Sequence, residues 1–491
     1  MIRTSNNSSY MPNNRKFGYF LFQENRWVVL VSVGITPVLF VIMKLLFPHA
    51  LIWPDSNQYI RTALNNAELT AWPIGYPKFL QFVHAIIPKD WAIVLLQYIL
   101  LETAILFLYF TVCFFFRPRP WIKIVILFCL LINPFVIGIS NYIMTDALFA
   151  ALTITWLTLS IWYFHQPEAA YAFLLVTTLF LAFTVRYYAL FYPVITASII
   201  IFSRAKLWVK FSSITLGISL FLTFTLYTEN IYSQLTGRPE FSPFSGWQLA
   251  SNALIMYRHI PNREQDIPPP ELQPLHQLVT RTLNSFPSPE AVPDRDLHFF
   301  FAWKIGSPLV TYSHAFYGID PTTEDLRKWA AVGQLYHDYG IFLIKRHPLA
   351  YIRFYIGQGI DWFVNPKREM VNEFPKGGVW VTDRTRQWFG YSSNWVSCTT
   401  STLFSFSWFP PILNFLNALF LLCIVGYYYC GCYRTAEPVM NRTILFAATY
   451  WFANFLFIVT FAPFLLRYGL SVMVLNIIFI PIILERILKT S

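Results

Sequence analysis

Charge is scarce in this 491-residue chain: Asp, Glu, Lys and Arg make up 12% of it, about half the share of an ordinary soluble domain. Together with 56% hydrophobic residues and a mean hydropathy of +0.46, this excludes both a soluble globular protein and a disordered one. Cysteine is scarce too. Of six, Cys113, Cys129, Cys423, Cys430 and Cys432 fall in apolar segments or at their basic ends, and Cys398 stands alone in the long polar region. A disulfide framework is therefore excluded there, and that region must fold by packing. Within the apolar segments charge almost vanishes, the exceptions being Glu102 halfway along the second and Lys44 near the end of the first. No internal repeat is visible, direct or inverted.

What is abundant is aromatic and apolar sequence. Phe (48), Tyr (28) and Trp (17) suit a chain whose side chains meet lipid tails and headgroups. Ten apolar windows are long enough to be spans, near 27–47, 91–116, 121–138, 143–164, 170–185, 187–203, 208–228, 404–430, 443–463 and 468–485. The net charge of +11 is not a nucleic-acid stripe. Residues 229–403 carry 16 basic and 16 acidic residues, so the excess lies between the spans, in Arg3, Arg15, Lys16 and Arg26, in Arg117, Arg119 and Lys123, in Arg204, Lys206 and Lys210, and in Arg434, Arg442, Arg486 and Lys489. The positive-inside rule then puts the N-terminus, those connectors and the C-terminus in the cytoplasm, and residues 48–90 and 229–403 outside. A polar stretch of about 26 residues precedes the first span without a cleavage site after it, so a removed signal peptide is not expected.

The expected fold class is an all-α polytopic membrane bundle of about ten or more transmembrane helices with a mixed extracytoplasmic loop domain. Its parts are a cytoplasmic segment (1–26), a seven-span module (27–228), the loop domain (229–403) and a three-span module (404–491). In the first external loop, Ile60, Ala63, Leu64 and Ala67 fall at helical spacing, and Pro77 can open a second helix with Phe79, Phe82, Val83, Ile86 and Ile87 on its apolar side. Two interfacial helices are therefore expected within 55–88. The Pro-rich stretch 261–293 predicts irregular chain, and Pro348–Phe363 an interfacial helix.

Polar residues gather on the outer face. Asp55 stands where a helix N-cap is expected, and Asp146 in the first turn of the fourth span, where the helix dipole favours an acid. Structural readings are equally open for others: His84 as a packed side chain, Glu102 as a partner between helices, Arg186, Arg467 and Lys78 as snorkelling cations. Taken together, Asp55, the GYP of Gly75, Tyr76 and Pro77, the NP of Asn133 and Pro134, the MTDALF that opens the fourth span and the RY of Arg467 and Tyr468 resemble the GT-C superfamily. These are polytopic glycosyltransferases that use polyprenyl-phosphate sugars, the protein O-mannosyltransferases and lipid A aminoarabinose transferases among them. The resemblance covers roughly the first 230 residues and the RY segment. Here Asp55 is followed by Ser56 rather than a second acid, Lys78 follows GYP in place of an apolar residue, and Ala71 and Trp72 stand where an arginine is common.

The resemblance implies an inverting transfer, on the extracytoplasmic face of a plasma membrane such as a bacterial inner membrane, from a polyprenyl-phosphate sugar to a hydroxyl of a glycolipid, polysaccharide or protein. Because a leaving phosphate needs no proton, one carboxylate can suffice. Asp55 is the candidate base, Asp146 its partner in catalysis, and Arg186, Arg467, Tyr468 and Lys78 the candidate binders of the donor phosphate. A divalent cation is admitted, with Asp55, Asp146 and His84 as its candidate ligands, and no organic cofactor is expected. Membrane lipids are the other expected partners. A transporter or lipid flippase, or an external glycan polymerase, are the alternatives. The first would want polar or broken helices near the midplane; the second would rely on loop arginines and tolerate loss of Asp55.

Overall fold

The structure, a computed structural model, describes residues 16–287, 292–316, 326–364, 377–398, 409–461 and 465–490. The first half comprises α1 (Arg26–Leu46), two short helices α2 (Pro54–Leu64) and α3 (Gly75–Ile86), α4 (Asp90–Phe116), α5 (Pro120–Leu131), α6 (Pro134–Ser140), α7 (Thr145–His165), α8 (Ala169–Val185), α9 (Tyr192–Ile201) and α10 (Leu207–Thr236). Among the described residues eight helical stretches, α5 and α6 counted as one, are long and apolar enough to cross a membrane; α8 and α9 are apolar but shorter. The chain is a multi-pass membrane protein. The stretch Pro120–Ser140 is interrupted at Ile132 and Asn133, because Pro134 cannot donate to the preceding turn and Asn133 accepts from the Phe135 amide as a new N-cap. Helix α10 runs two turns beyond the span read from sequence and carries Tyr232, whose hydroxyl donates to the Thr70 carbonyl at 2.9 Å.

Helix α7 is the most enclosed of the spans, whereas α1 and α10 turn most of their surface outward, towards lipid. The Trp162 indole donates to Thr111 on α4 at 2.9 Å, and Trp156 donates to Thr196 on α9 at 3.0 Å while stacking on Tyr192. These contacts satisfy polar atoms that lipid could not. Glu102 differs. Both of its carboxyl oxygens are buried in the middle of α4 without a hydrogen-bond partner among the described residues, which does not support the reading of it as a hydrogen-bond partner between helices.

Between the two sets of spans lie α11 (Pro243–Tyr257), α12 (Gln273–Asn284), α13 (Asp294–Trp303), α14 (Pro308–Phe316), α15 (Leu326–Ala331), α16 (Gly333–Arg346), and a helical run from Pro348 through a π-helical turn at Ile352–Ile356 into α17 (Gly357–Val364). A buried cluster separate from that of the bundle is drawn entirely from residues 247–362. At its centre α11 and α16 approach closely: a Cβ on Gly246 would lie 1.9 Å from the Gly333 carbonyl oxygen. The Pro-rich stretch is not irregular throughout. Pro274 occupies a first-turn position, where its missing N–H costs nothing, and Leu275, Val279 and Leu283 give α12 a buried stripe. Pro348–Phe363 is helical and exposes Leu349, Ile352 and Ile360, while Gly359 packs it against the Val459 backbone of a span.

The next segment belongs to the bundle. Strands β1 (Gly377–Trp380) and β2 (Trp395–Cys398) pair antiparallel and flank α18 (Asp383–Phe389), and Val381, Phe389 and Val396 join the main core. The spans α19 (Phe409–Tyr429), α20 (Pro438–Phe461) and α21 (Leu470–Thr490) complete the chain. At the opposite end of the bundle, Glu485 is held by Lys489 at 2.6 Å and Arg119 at 3.5 Å.

Candidate active site

Helix α2 starts at Pro54, whose fixed φ suits a first helical position. Trp53 is therefore the N-cap residue, and its amide donates to the Ser56 hydroxyl at 2.9 Å. This corrects the expectation that Asp55 caps the helix. Asp55 is free of the capping role, and its carboxylate faces the Arg467 guanidinium at 3.8 Å.

Asp146, in the first turn of α7, is gripped more tightly. Arg186 Nη1 donates to one of its oxygens at 2.6 Å, and Arg467 Nη1 donates to the other at 3.2 Å. Arg186 ends α8 in an extended conformation, while Arg467 sits in the short 3₁₀ turn Leu466–Gly469 that precedes α21. Tyr468 lies beside both, its ring centre 4.2 Å from the Arg186 guanidinium carbon and 5.2 Å from that of Arg467. Five of the seven candidates thus converge from four separate parts of the chain.

A short backbone bridge explains why the two acids meet. Leu51 pairs in parallel with Tyr142, the Leu51 amide donating to the Asn141 carbonyl at 2.8 Å and the Ile143 amide to the Leu51 carbonyl at 3.1 Å. Asp55 follows Leu51 by one helical turn's worth of chain, and Asp146 follows Tyr142 by the same count.

Exposure separates the roles. The Asp55 side chain is 32% accessible, Arg186 17%, Arg467 9% and Asp146 1%. A substrate can reach Asp55 but not Asp146, which is enclosed by the guanidiniums it orients. Partial burial pushes the Asp55 carboxyl above its ordinary value. Arg467 and Arg186 pull it down and Asp146 pushes it up, and the net direction is upward. Two carboxylates balance two guanidiniums, so the set is neutral until an anion arrives.

Two candidates stand apart. Lys78 is exposed and donates to Asn66 Oδ1 at 2.9 Å, which ties it to the end of α2 rather than to the acids. His84 stacks on Trp388 with ring centres 3.7 Å apart, and its Nε2 lies 2.8 Å from the Trp388 carbonyl oxygen. Among the described residues no group of three or more His, Cys, Asp and Glu side chains could hold a metal ion. As a donor set, two carboxylates that already face guanidiniums fit a divalent cation poorly.

Three more residues lie near the set: Tyr59 escaped the sequence reading, while Met144 and Phe149 belong to the MTDALF segment but were not singled out as site residues. Tyr59, one turn beyond Asp55, is buried, and burial followed by the Asp55 charge pushes its phenol upward, so it remains neutral. The Met144 sulfur lies 3.4 Å from Arg467 Nη1, and the Phe149 ring packs against Arg186. The i, i+4 spacing from Asp55 was the available signal for Tyr59. Helix α18 is tied to α2 near the site, because Asn57 Oδ1 accepts from Thr385 at 2.9 Å.

No protein-family model matches the chain, and no curated protein sequence matches it. Among solved structures it is similar to two of ArnT from Cupriavidus metallidurans, one in the apo state and one bound to undecaprenyl phosphate. The identities are 14% and 13%, each alignment covers 91% of this chain and 78% or 77% of the other, and the TM-score is 0.34 for both.

Proposed function

We propose that this chain is a membrane glycosyltransferase that moves a sugar from a polyprenyl-phosphate donor to an acceptor hydroxyl, on the membrane face that carries the 243–362 domain and that we read as extracytoplasmic. One observation carries this reading: an accessible carboxylate, Asp55, stands beside two guanidiniums that a buried acid, Asp146, holds side by side. The donor class comes from the resemblance of the GYP, MTDALF and RY segments to the GT-C superfamily.

In the proposed reaction the acceptor hydroxyl gives its proton to Asp55 as its oxygen bonds to the anomeric carbon. The bond from that carbon to the phosphate oxygen breaks, and the electron pair leaves with the polyprenyl phosphate. Attack from the face opposite the leaving group inverts the centre. Arg467 and Arg186 hold the charge that develops on the phosphate, since guanidiniums present paired donors to phosphate oxygens. In this reading Asp146 keeps them aligned, which is its part in catalysis. The upward shift of Asp55 suits a base, because its conjugate acid is weaker than a free carboxyl. No step is routed through a metal ion.

The test is to purify the protein in nanodiscs, identify co-purified lipid by mass spectrometry, and follow radiolabelled sugar from a polyprenyl-phosphate donor into a membrane-glycan acceptor pool. A polyprenyl phosphate or its sugar conjugate, with transfer, supports the reading. Transfer by none of the common polyprenyl-phosphate sugars and no bound polyprenyl lipid would sink it.

A further inference from the structure

The two acids are only as well placed as the Leu51–Tyr142 bridge that carries them, and this bridge belongs to no sheet. Gln97 on α4 lies against it, fully buried. Its amide nitrogen donates to the Ser140 and Tyr142 carbonyls, both at 3.0 Å, and its Oε1 accepts from the Tyr76 hydroxyl at 2.6 Å. Both N–H groups and the oxygen are engaged, so the orientation of the amide is determined: the flipped form would face two carbonyls with an acceptor. Further bonds hold the other side of the bridge. The Ala50 amide donates to Asp90 at 2.6 Å, and Asn141 donates to the His49 carbonyl and accepts from Lys44, both at 3.3 Å. The Tyr76 ring also meets Tyr59, one turn after Asp55, edge-on at 5.1 Å.

We infer that Gln97 and Tyr76 are positioning residues that set the spacing of Asp55 from Asp146 and its two arginines. Tyr76 is the tyrosine of the GYP segment, and the inference gives that tyrosine a physical task. It rests on the reading of Asp55 as the base, but the geometry it concerns is measurable without any reaction. The hydrogen bonds of Gln97 and Tyr76 run to each other and to the bridge carbonyls, and of the two acids Tyr76 feels only the charge of Asp146, so their loss acts chiefly through the bridge. Misplacement by about an ångström is enough to slow a positioned reaction on the order of 10²-fold.

The experiment uses the full-length protein in nanodiscs, with Tyr76→Phe and Gln97→Leu, and two readouts. One is transfer, resolved into kcat and the donor KM. The other is labelling of Asp55 by a hydrophilic carbodiimide against pH, read by peptide mass spectrometry with Asp266 as an internal control. Tyr76→Phe keeps the ring and its packing, so it serves if Gln97→Leu does not fold. The expected result is a kcat lowered about 10- to 100-fold with the donor KM within about 2-fold, and an Asp55 labelling midpoint moved down towards the ordinary carboxylate range as the loosened site admits water. The Asp266 profile stays fixed. Folded variants with wild-type kcat and an unchanged Asp55 profile overturn the inference, as does a lowered kcat with an unchanged Asp55 profile. If the wild type shows no transfer but the Asp55 profile moves in the variants, the brace stands and the proposed reaction falls.

Discussion

Asp146→Asn is a nearly isosteric change that removes one negative charge from a site where two guanidiniums share it. The Asn oxygen can still accept from Arg186 or from Arg467, but its amide group then turns a donor towards the other. One arginine loses its charged hydrogen bond to Asp146, and the two positive charges keep Asp55, at 3.8 Å from Arg467, as the remaining carboxylate of the set. Removing one member of a buried ion pair costs about 3–5 kcal/mol. With Asp146 at 1% and Arg467 at 9% accessibility, solvent relieves little of it. At about 2 °C per kcal/mol for a large domain, the midpoint of thermal unfolding falls by roughly 6–10 °C. Because the variant site carries a net positive charge, an anion that fits it binds better than in the wild type. Inorganic pyrophosphate at ten times its dissociation constant returns about 1.4 kcal/mol. Tryptophan fluorescence in nanodiscs, with and without pyrophosphate, measures both effects. An unchanged midpoint in Asp146→Asn, or equal stabilisation of the two proteins by the anion, would refute the idea that Asp146 holds the arginines for a phosphate.

Other outcomes follow from the same geometry. Arg467→Ala raises the donor KM about 10-fold or more, since a charged hydrogen bond contributes about 1.5–3 kcal/mol; kinetics with varied donor test this, and an unchanged KM returns Arg467 to a structural role. Burial raises the Asp266 and Asp294 carboxyls, but hydrogen bonds from His347, Arg346 and Tyr257 to the first, and from His259 and Gln358 with the charge of Arg258 to the second, outweigh it and lower both. Their stabilisation is therefore present above the unfolded value, about 3.9, and is lost as pH falls through the lower folded values. Hydrogen exchange should show α11 and α16 opening below about pH 4, and opening already complete at pH 6 would contradict this. Gly246→Ala forces α11 from the Gly333 carbonyl and lowers stability by about 1–3 kcal/mol, read by the same exchange experiment. With no metal in the proposed mechanism, EDTA should leave transfer within about twofold, below the smallest effect of a general catalyst.

Much of the fold was legible because membrane spans announce themselves by length and composition alone, and the ten apolar windows correspond to the apolar helices of the structure. The candidate site was legible in part. Asp146, Arg186, Arg467 and Tyr468 sit at ends of apolar segments and Asp55 opens the helix of the first external loop, and span counting puts all of them on one face. Lys78 shows the limit of that argument: belonging to the right loop does not say which way a side chain points, and its helix turns it to Asn66. His84 is similar, since its partner Trp388 is 304 residues away and no local pattern reports it. On α3 the buried side is Tyr76, Leu80 and Val83, while Phe82 and Ile86 face outward. In a membrane protein both sides of an interfacial helix have apolar surroundings, so periodicity does not tell the bundle side from the lipid side. The Leu51–Tyr142 bridge was invisible for a different reason. It is made of backbone atoms, and any two short extended segments could have formed it.

The central claim is that Asp55 removes the acceptor proton, and single-turnover transfer by Asp55→Asn tests it most directly. The protein is loaded with labelled polyprenyl-phosphate sugar in nanodiscs, and bound donor is measured alongside product. The account predicts donor binding within a few-fold of wild type and a transfer rate lower by about 10²–10⁴-fold, the range of a general base. A rate near that of the wild type, with the variant folded and loaded, would contradict it.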